Sequence, residues 1–350
     1  MCRSIHLPER RVRVTRALLP LAALAVFACD GDPEDEGDAG PLPSALTWSA
    51  VLEDLDGAVL SFWGTAADDL FAVGGSLSPE GGTALVLHHD GEAWHRTQID
   101  APTLWWVFGF TSEDVWAVGE QGTIVHFDGA AWTIVESEAE YTLWGVWGAD
   151  PADLWAVGGD AVRSSAGVIR HWDGTSWEPA SGVDLGGETF FKVWGTAADD
   201  VYVVGAHGTI WRFDGSDWSA MDSPASDRLV TVVGRGPEDV WAVGGLGTAI
   251  LLHLEGRSWK VVDDPAFLGG LMGIWTAPDE PLIVTGFFGY LALGNAAGFR
   301  EQDSGTDLCL HAAWGDGAGI YLAGGGDLVP PRPVRGTVLA VGAVAGGPVR

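Results

Sequence analysis

From residue 46 onward, apolar residues come in short runs broken by glycine, serine or aspartate, and no stretch keeps the periodicity of an amphipathic helix. Runs rich in β-branched and aromatic residues between turn formers predict strands. In one clear copy, Leu104 to Phe108, Asp114 to Val118, Thr123 to Phe127 and Trp132 to Val135 read as four successive strands. Asp128-Gly129 joins the last two and predicts a tight hairpin of type I′, which needs positive φ at both central residues. The pair recurs as Asp90-Gly91, Asp173-Gly174 and Asp214-Gly215, with Glu255-Gly256 a weaker copy.

The four-strand pattern is itself repeated. A Trp-Gly-like pair is followed by Asp, an aliphatic residue, an aromatic one and Ala-Val-Gly, then Gly-Thr-aliphatic, His-x-Asp-Gly and a further Trp. Trp147-Gly148 with Asp153-Leu154-Trp155-Ala156-Val157-Gly158 shows the first part most clearly. The anchors fall at Trp63, Phe108, Trp147, Trp194, Val233, Trp275 and Trp314, separated by 45, 39, 47, 39, 42 and 39 residues. A period near 40 with four strands per repeat is the signature of propeller blades. The expected fold is therefore all-β: a β-propeller of about seven four-stranded blades over residues 46–350, with six or eight still compatible.

The spacing also predicts how the ring closes. The Trp opening each fourth strand precedes the next anchor by 14 to 17 residues, and Trp48 lies 15 before Trp63. The seventh repeat has Trp314, Tyr321 and Gly336-Thr337-Val338-Leu339 but no closing Trp. Trp48 to Val51 is thus expected to be the outer strand of the last blade, which leaves no free edge at the join. Repeat six, with Phe299 in place of Trp, and repeat seven, interrupted by Pro330-Pro331-Arg332-Pro333, are degenerate copies.

The first 45 residues follow a different logic. Five arginines in residues 1–16 precede an uncharged apolar run from Ala17 to Ala28, too short to span a bilayer. This is the layout of a signal peptide over residues 1–28. Val26-Phe27-Ala28-Cys29 resembles the bacterial lipobox, which implies lipidation of Cys29, although Phe27 departs from its small residue and ordinary cleavage after Ala28 also fits. The following stretch, with six acids from Asp30 to Pro41, reads as a self-repelling tether over residues 29–45. Cys2 leaves with the signal and only Cys309 lies in the repeats, so the folded part can hold no internal disulfide and no cysteine-based metal site. The expected location is the cell envelope or outer surface as a lipoprotein, otherwise periplasmic or secreted.

Charge removes one class of partner. Eighteen basic against 48 acidic residues give a net charge of −30, and loss of residues 1–28 takes it to −34. Such a surface repels nucleic acid.

Most tryptophans belong to the architecture: 14 of 19 recur at the anchor, on second strands or opening fourth strands, as a blade-to-blade core requires. Trp105, Trp106, Trp144, Trp172 and Trp211 do not, and the first three fall on inner strands near the channel, where a ligand-stacking surface is to be sought. His88, His126, His171 and His253 recur two residues before the turn acid on four different blades, too dispersed to share one metal. No metal site or cofactor is expected; calcium would need oxygens beyond the doubled Asp68-Asp69 and Asp199-Asp200.

The His-x-Asp-Gly-x-x-Trp hairpin resembles the Asp-box (BNR) hairpin of bacterial sialidase-type propellers, although an Asp-box places one residue between Asp and Gly. The whole repeat is more similar to the Trp-Gly/Ala-Val-Gly propellers of secreted bacterial lipoproteins, often of myxobacterial type. The sialidase resemblance implies an arginine triad, a Tyr-Glu pair and a further acid, and no Arg-containing motif of that kind can be placed here. Nor is there a G-x-S-x-G, P-loop, H-E-x-x-H or dinucleotide fingerprint. A propeller hosts many functions, so function must be argued from the site.

The expected function is non-enzymatic binding or scaffolding at the cell envelope, as a monomer that meets the membrane only through the N-terminal lipid and has an envelope or extracellular protein, or a glycan, as partner. The alternative is a glycan-active enzyme, a sialidase-like hydrolase or lyase, or a glycan-binding lectin. An Arg, Glu and Tyr cluster at a channel mouth would favour the enzyme, and a rim of apolar and acidic residues would favour a protein partner. Gly75 to Gly82, Glu136 to Tyr141 and Asp160 to Gly167 break the repeat and are the loops where specificity is expected.

Overall fold

The computed structural model describes residues 44–77, 82–180, 187–264, 267, 269–295, 297–328 and 334–350. The expected signal peptide, Cys29 and the tether as far as residue 43 lie outside the described residues, as do 78–81 and 329–333. Twenty-eight strands form seven antiparallel four-stranded sheets, each a blade. The first strands of successive blades touch one another around a central channel, and that of blade 7 touches that of blade 1. The fold is a seven-bladed β-propeller. Blades 1 to 7 have inner strands Ala58–Ala66, Leu104–Thr111, Leu143–Asp150, Phe190–Ala197, Leu229–Gly236, Leu271–Trp275 and Leu310–Gly315.

The strand next to the inner one is buried along nearly its whole length, as in Asp114–Gly119 and Asp200–Gly205. Both faces are covered by neighbouring blades, which is why Ala-Val-Gly recurs there without polar alternation. The Trp-Gly pair has an equally direct cause. A Cβ on Gly109, Gly195, Gly234 or Gly315 would lie 2.6–2.8 Å from the anchor indole of the preceding blade, Trp63, Trp147, Trp194 or Trp275. The glycine lets one blade's anchor ring lie flush on the next.

Ser49–Leu55 pairs antiparallel with Gly336–Val341 and is the outer strand of blade 7, the closure that the Trp48 spacing predicts. The Asp-Gly hairpins differ from expectation. At Gly91, Gly129, Gly174 and Gly215 φ is 85–90°, but none of the preceding aspartates has positive φ. The loop is four residues long, not a type I′ turn, and the Asp oxygen holds it: Asp128 Oδ1 accepts from the N–H groups of Ala130 and Ala131 at 3.0 and 2.9 Å. Asp90, Asp173 and Asp214 do the same.

These N–H donors hold all four carboxyls below the usual carboxylate range. A depressed carboxyl contributes stability that is complete above the unfolded value near 4 and is lost as pH falls through the lower folded value. Asparagine keeps the acceptor without the titration. A variant with all four changed to Asn is therefore expected to show a flatter fall of its denaturation midpoint between about pH 4 and 2 than the parent; parallel curves would show that the turns do not couple to folding.

The recurring histidines are explained by the same repeat. His88, His126, His171 and His253 each donate from Nε2 to the acid that opens the second strand, Asp69, Asp114, Asp153 or Asp239, at 2.6–3.0 Å. Each also stacks on that strand's aromatic ring, with centroids 3.9–4.3 Å apart. In blade 4 Arg212 takes the histidine's place against Asp200. Asp69 and Asp200 are also bonded by Thr65 and Thr196, so these acids are engaged in holding their blades.

Candidate functional site

One feature of the inner strands builds a site. In every blade the pairing of inner and second strand slips by one residue at the same place, between Val59 and Ser61, Leu104 and Trp106, Leu143 and Gly145, Phe190 and Lys192, Leu229 and Thr231, Leu271 and Gly273, and Leu310 and Ala312. A bulge leaves one residue unpaired and re-aims its side chain. The skipped residues are Leu60, Trp105, Trp144, Phe191, Val230, Met272 and His311, and all seven line one cavity of about 250 Å³ at the end of the channel where the inner strands begin. Each lies three residues before its anchor.

The structure thus brings Trp105, Trp106 and Trp144 together in one wall. Trp105 and Trp144 have centroids 4.5 Å apart at 55°, and Phe191 meets Trp144 edge-on at 5.8 Å. All three indoles are half-buried. Trp144 Nε1 donates to the Gly159 carbonyl at 3.1 Å, whereas Trp105 Nε1 is buried with no hydrogen-bond partner. At these tilts Trp105, Trp144 and Phe191 do not form one flat platform.

Lys192 is one of the lining residues that sequence reasoning missed. It occupies the position after the bulge in blade 4 and is 6% exposed. Its side chain crosses blade 3, where the equivalent residue is Gly145; a Cβ there would stand 3.1–3.2 Å from Lys192 Cα and Cδ. The ammonium donates to the Trp144 carbonyl at 3.0 Å and sits 3.4 Å from the Trp106 ring centroid. Burial lowers its pKa well below the usual lysine value. Opposite, burial pushes half-buried His311 down to about 4, so its imidazole is neutral at pH 7. Arg228, over the Phe191 ring at 5.5 Å, is the second basic side chain among the described lining residues, and no carboxylate is among them. The signal that would have found these residues is the column three and two places before each anchor.

The surrounding face carries the loops that interrupt the repeat. Connections between second and third strands, and crossings from each outer strand to the next inner one, both fall at this end. Gly75 to Gly82 and Asp160 to Gly167 are connections of the first kind, and Glu136 to Tyr141 is one of the second. Among the described residues six large apolar side chains are exposed. Tyr141, Val162, Leu246 and Phe288 lie on this face, Ile134 and Val261 on outer strands, and none on the opposite end. Acids surround them, including Glu136, Glu138, Glu140, Asp222, Asp303 and Asp307. Phe288 is 84% exposed and holds φ 59°, a left-handed conformation unfavourable for a bulky side chain. In the same turn of blades 2 and 4 the residue is Gln121 or His207.

Cys309 stands at the crossing into blade 7. Burial, with Asp327 nearby, pushes its thiol up to about 12. Chain 30–350, which has no other cysteine, is expected to leave a thiol reagent unreacted at pH 8 when folded and to consume one equivalent when unfolded. Fast reaction of the native chain would contradict this burial.

No protein-family model matches the chain. Among solved structures it is similar to YCF48 from Cyanidioschyzon merolae, with 16% identity and a TM-score of 0.61 over 85% of this chain and 98% of that one. It is similar also to a YCF48 bound to D1 peptide, with 13% identity and a TM-score of 0.62 over 87% and 99%, and to the WD40 repeats of RRP9, with 8% identity and a TM-score of 0.64 over 86% and 99%. Among curated proteins it is similar to Immune protein Tsi7 of Pseudomonas aeruginosa, 26% identical over 167 residues, or 43% of this chain and 51% of that protein. The chain spans about half the length of that relative, and the structural likenesses, at such identities, show the propeller fold and that alone.

Proposed function

We propose that the protein is a non-enzymatic binding propeller of the cell envelope, exported by its N-terminal signal, anchored through a lipid on Cys29, and engaging a protein partner with the face around the channel mouth. The observation that carries this reading is the asymmetry of exposed apolar residues: Tyr141, Val162, Leu246 and Phe288 share that face with exposed acids. Large apolar side chains exposed together on one face mark an interaction surface, and the acids select a partner with a basic surface. A strained Phe288 held out in water gives nothing to folding, and strain of this kind gathers at functional positions. The likeness to a YCF48 with a bound peptide and to a protein named for immunity supports a protein as partner.

Photo-crosslinkers placed at Val162 and Leu246 in the producing cell, with Ile134 as control, test the reading. A discrete adduct from Val162 and Leu246, weakened by high salt and by Phe288→Asn while the melting temperature of that variant holds or rises, is expected. Equal labelling from Ile134, or adducts indifferent to Phe288, would overturn it. The anchor is read separately: Cys29→Ser is expected to move the protein from the membrane fraction to the soluble one.

The meeting of three indoles at the mouth favours glycan binding as the second reading. A glycan array with chain 30–350 tests it, and binding to a defined sugar that Trp105→Ala abolishes would replace the protein-partner reading.

A further inference from the structure

Among its described lining residues the channel-mouth cavity holds two basic side chains, Lys192 and Arg228, and no acidic one, in a chain whose net charge is −30. We infer that this cavity is a binding site for a carboxylate carried on a compact apolar body, with Lys192 as the residue that takes the charge. The inference goes beyond the protein-docking face and stands if no protein partner is found.

Three observations carry it. Lys192 has three donor positions; one is used on the Trp144 carbonyl and one points at the Trp106 ring, and no carboxylate among the described residues pairs with it. Burial without a counter-charge disfavours the ammonium form of Lys192, so a lysine serving only to tie blades 2, 3 and 4 together is a poor solution where methionine would fill the same path. An arriving carboxylate would supply the missing charge. Second, the path of the side chain is built: Gly145 leaves the space it crosses, and Trp106 and Trp144 fix its end. Third, the rest of the described wall is apolar, from Leu60, Trp105, Phe191, Val230 and Met272, apart from Thr231, whose hydroxyl donates to the Met272 carbonyl at 2.8 Å, and neutral His311, which leaves the charge of a ligand to the lysine and Arg228. At about 250 Å³ the hole lies below the roughly 300–1,000 Å³ of drug-sized sites, which sets the ligand's size at one ring or a short branched chain.

The test titrates chain 30–350 with 3-phenylpropionate and indole-3-acetate against their amides, following indole fluorescence and the melting temperature. The acids are expected to bind saturably and about tenfold or more tightly than the amides, the margin of a charge-assisted hydrogen bond. Lys192→Met is expected to erase that preference while melting at or above the parent's temperature. Phe288→Asn is expected to leave acid binding unchanged, which separates this site from the docking face. A tripeptide ending in a phenylalanine carboxylate, against its C-terminal amide, distinguishes a free acid from a chain end as the source of the group. Equal affinity of acid and amide for the parent would overturn the inference. So would a Lys192→Met variant that melts lower and binds the acids as before, which would make the lysine a tie between blades.

Discussion

Trp94→Ala is expected to lower the free energy of unfolding by about 3–5 kcal/mol, the range for removing a large buried ring. Trp94 opens the outer strand of blade 1, is 2% exposed, and packs with Leu70 and Leu87 of its own blade and Leu52, Val338 and Ala340 of blade 7. The loss is therefore felt across a blade boundary. Its indole nitrogen is buried without a hydrogen-bond partner, as are those of Trp48, Trp177, Trp218 and Trp259 at the same position of other blades. These rings serve as volume, in contrast to Trp116 and Trp241, whose N–H groups donate to Asp114 and Asp239. Trp94→Phe removes the unpaired donor with only part of the ring and is expected to cost less than about 2 kcal/mol. Denaturant midpoints at unchanged slope check both values. A Phe variant as damaged as the Ala variant would show that the N–H is bonded after all.

The same repetition explains what was legible in the sequence. Blade number and closure follow from anchors that must recur because each anchor ring lies on the next blade's glycine. Substituted repeat positions keep their place against the core where they lose identity, as Val233 and Phe299 do. The hairpin was misread because Asp-Gly suggests a two-residue turn, although two further residues always precede the next Trp and give the Asp oxygen its N–H donors. The site was half legible. Trp105, Trp106 and Trp144 stood out as aromatics outside the repeat, but Leu60, Phe191, Lys192, Val230, Met272 and His311 did not. Their column points into the channel only because of a bulge, and no residue type marks a bulge locally. Strand alternation counted back from the anchor assigns these positions to the wrong side, and seven different side chains in one column look like noise until the bulges align them.

A chain beginning at Gly57 is expected to lose cooperative unfolding, a change on the order of the entire 5–15 kcal/mol that typically separates folded from unfolded domains. Removing the closing strand takes Trp48 and Leu52 out of two core clusters that hold blade 7 to its neighbours. It strips the ladder from Gly336–Val341 and leaves the Thr337 hydroxyl without its acceptor, the Leu52 carbonyl at 3.1 Å. That strand becomes a bare apolar edge, a template for pairing with other chains. The seam weakens further because Gly347 N–H donates to Val51 and Arg96 pairs with Asp56 at 2.6 Å, and both partners leave with the segment. The pair of bonds between residue 350 and Trp94 and Arg96, and the packing of Val344 and Val349, would still fasten the tail to blade 1. Chain 44–350 is expected to melt in one transition and chain 57–350 to melt broadly and associate, by scattering and calorimetry. Adding a peptide of residues 44–56 in trans separates the two ways this could happen. If the missing strand is the cause, the peptide restores the sharp transition in proportion to its concentration. A chain 57–350 that melts as sharply as the longer one, with the peptide inert, would mean that blade 7 closes on three strands and that Ser49–Leu55 merely lies against it.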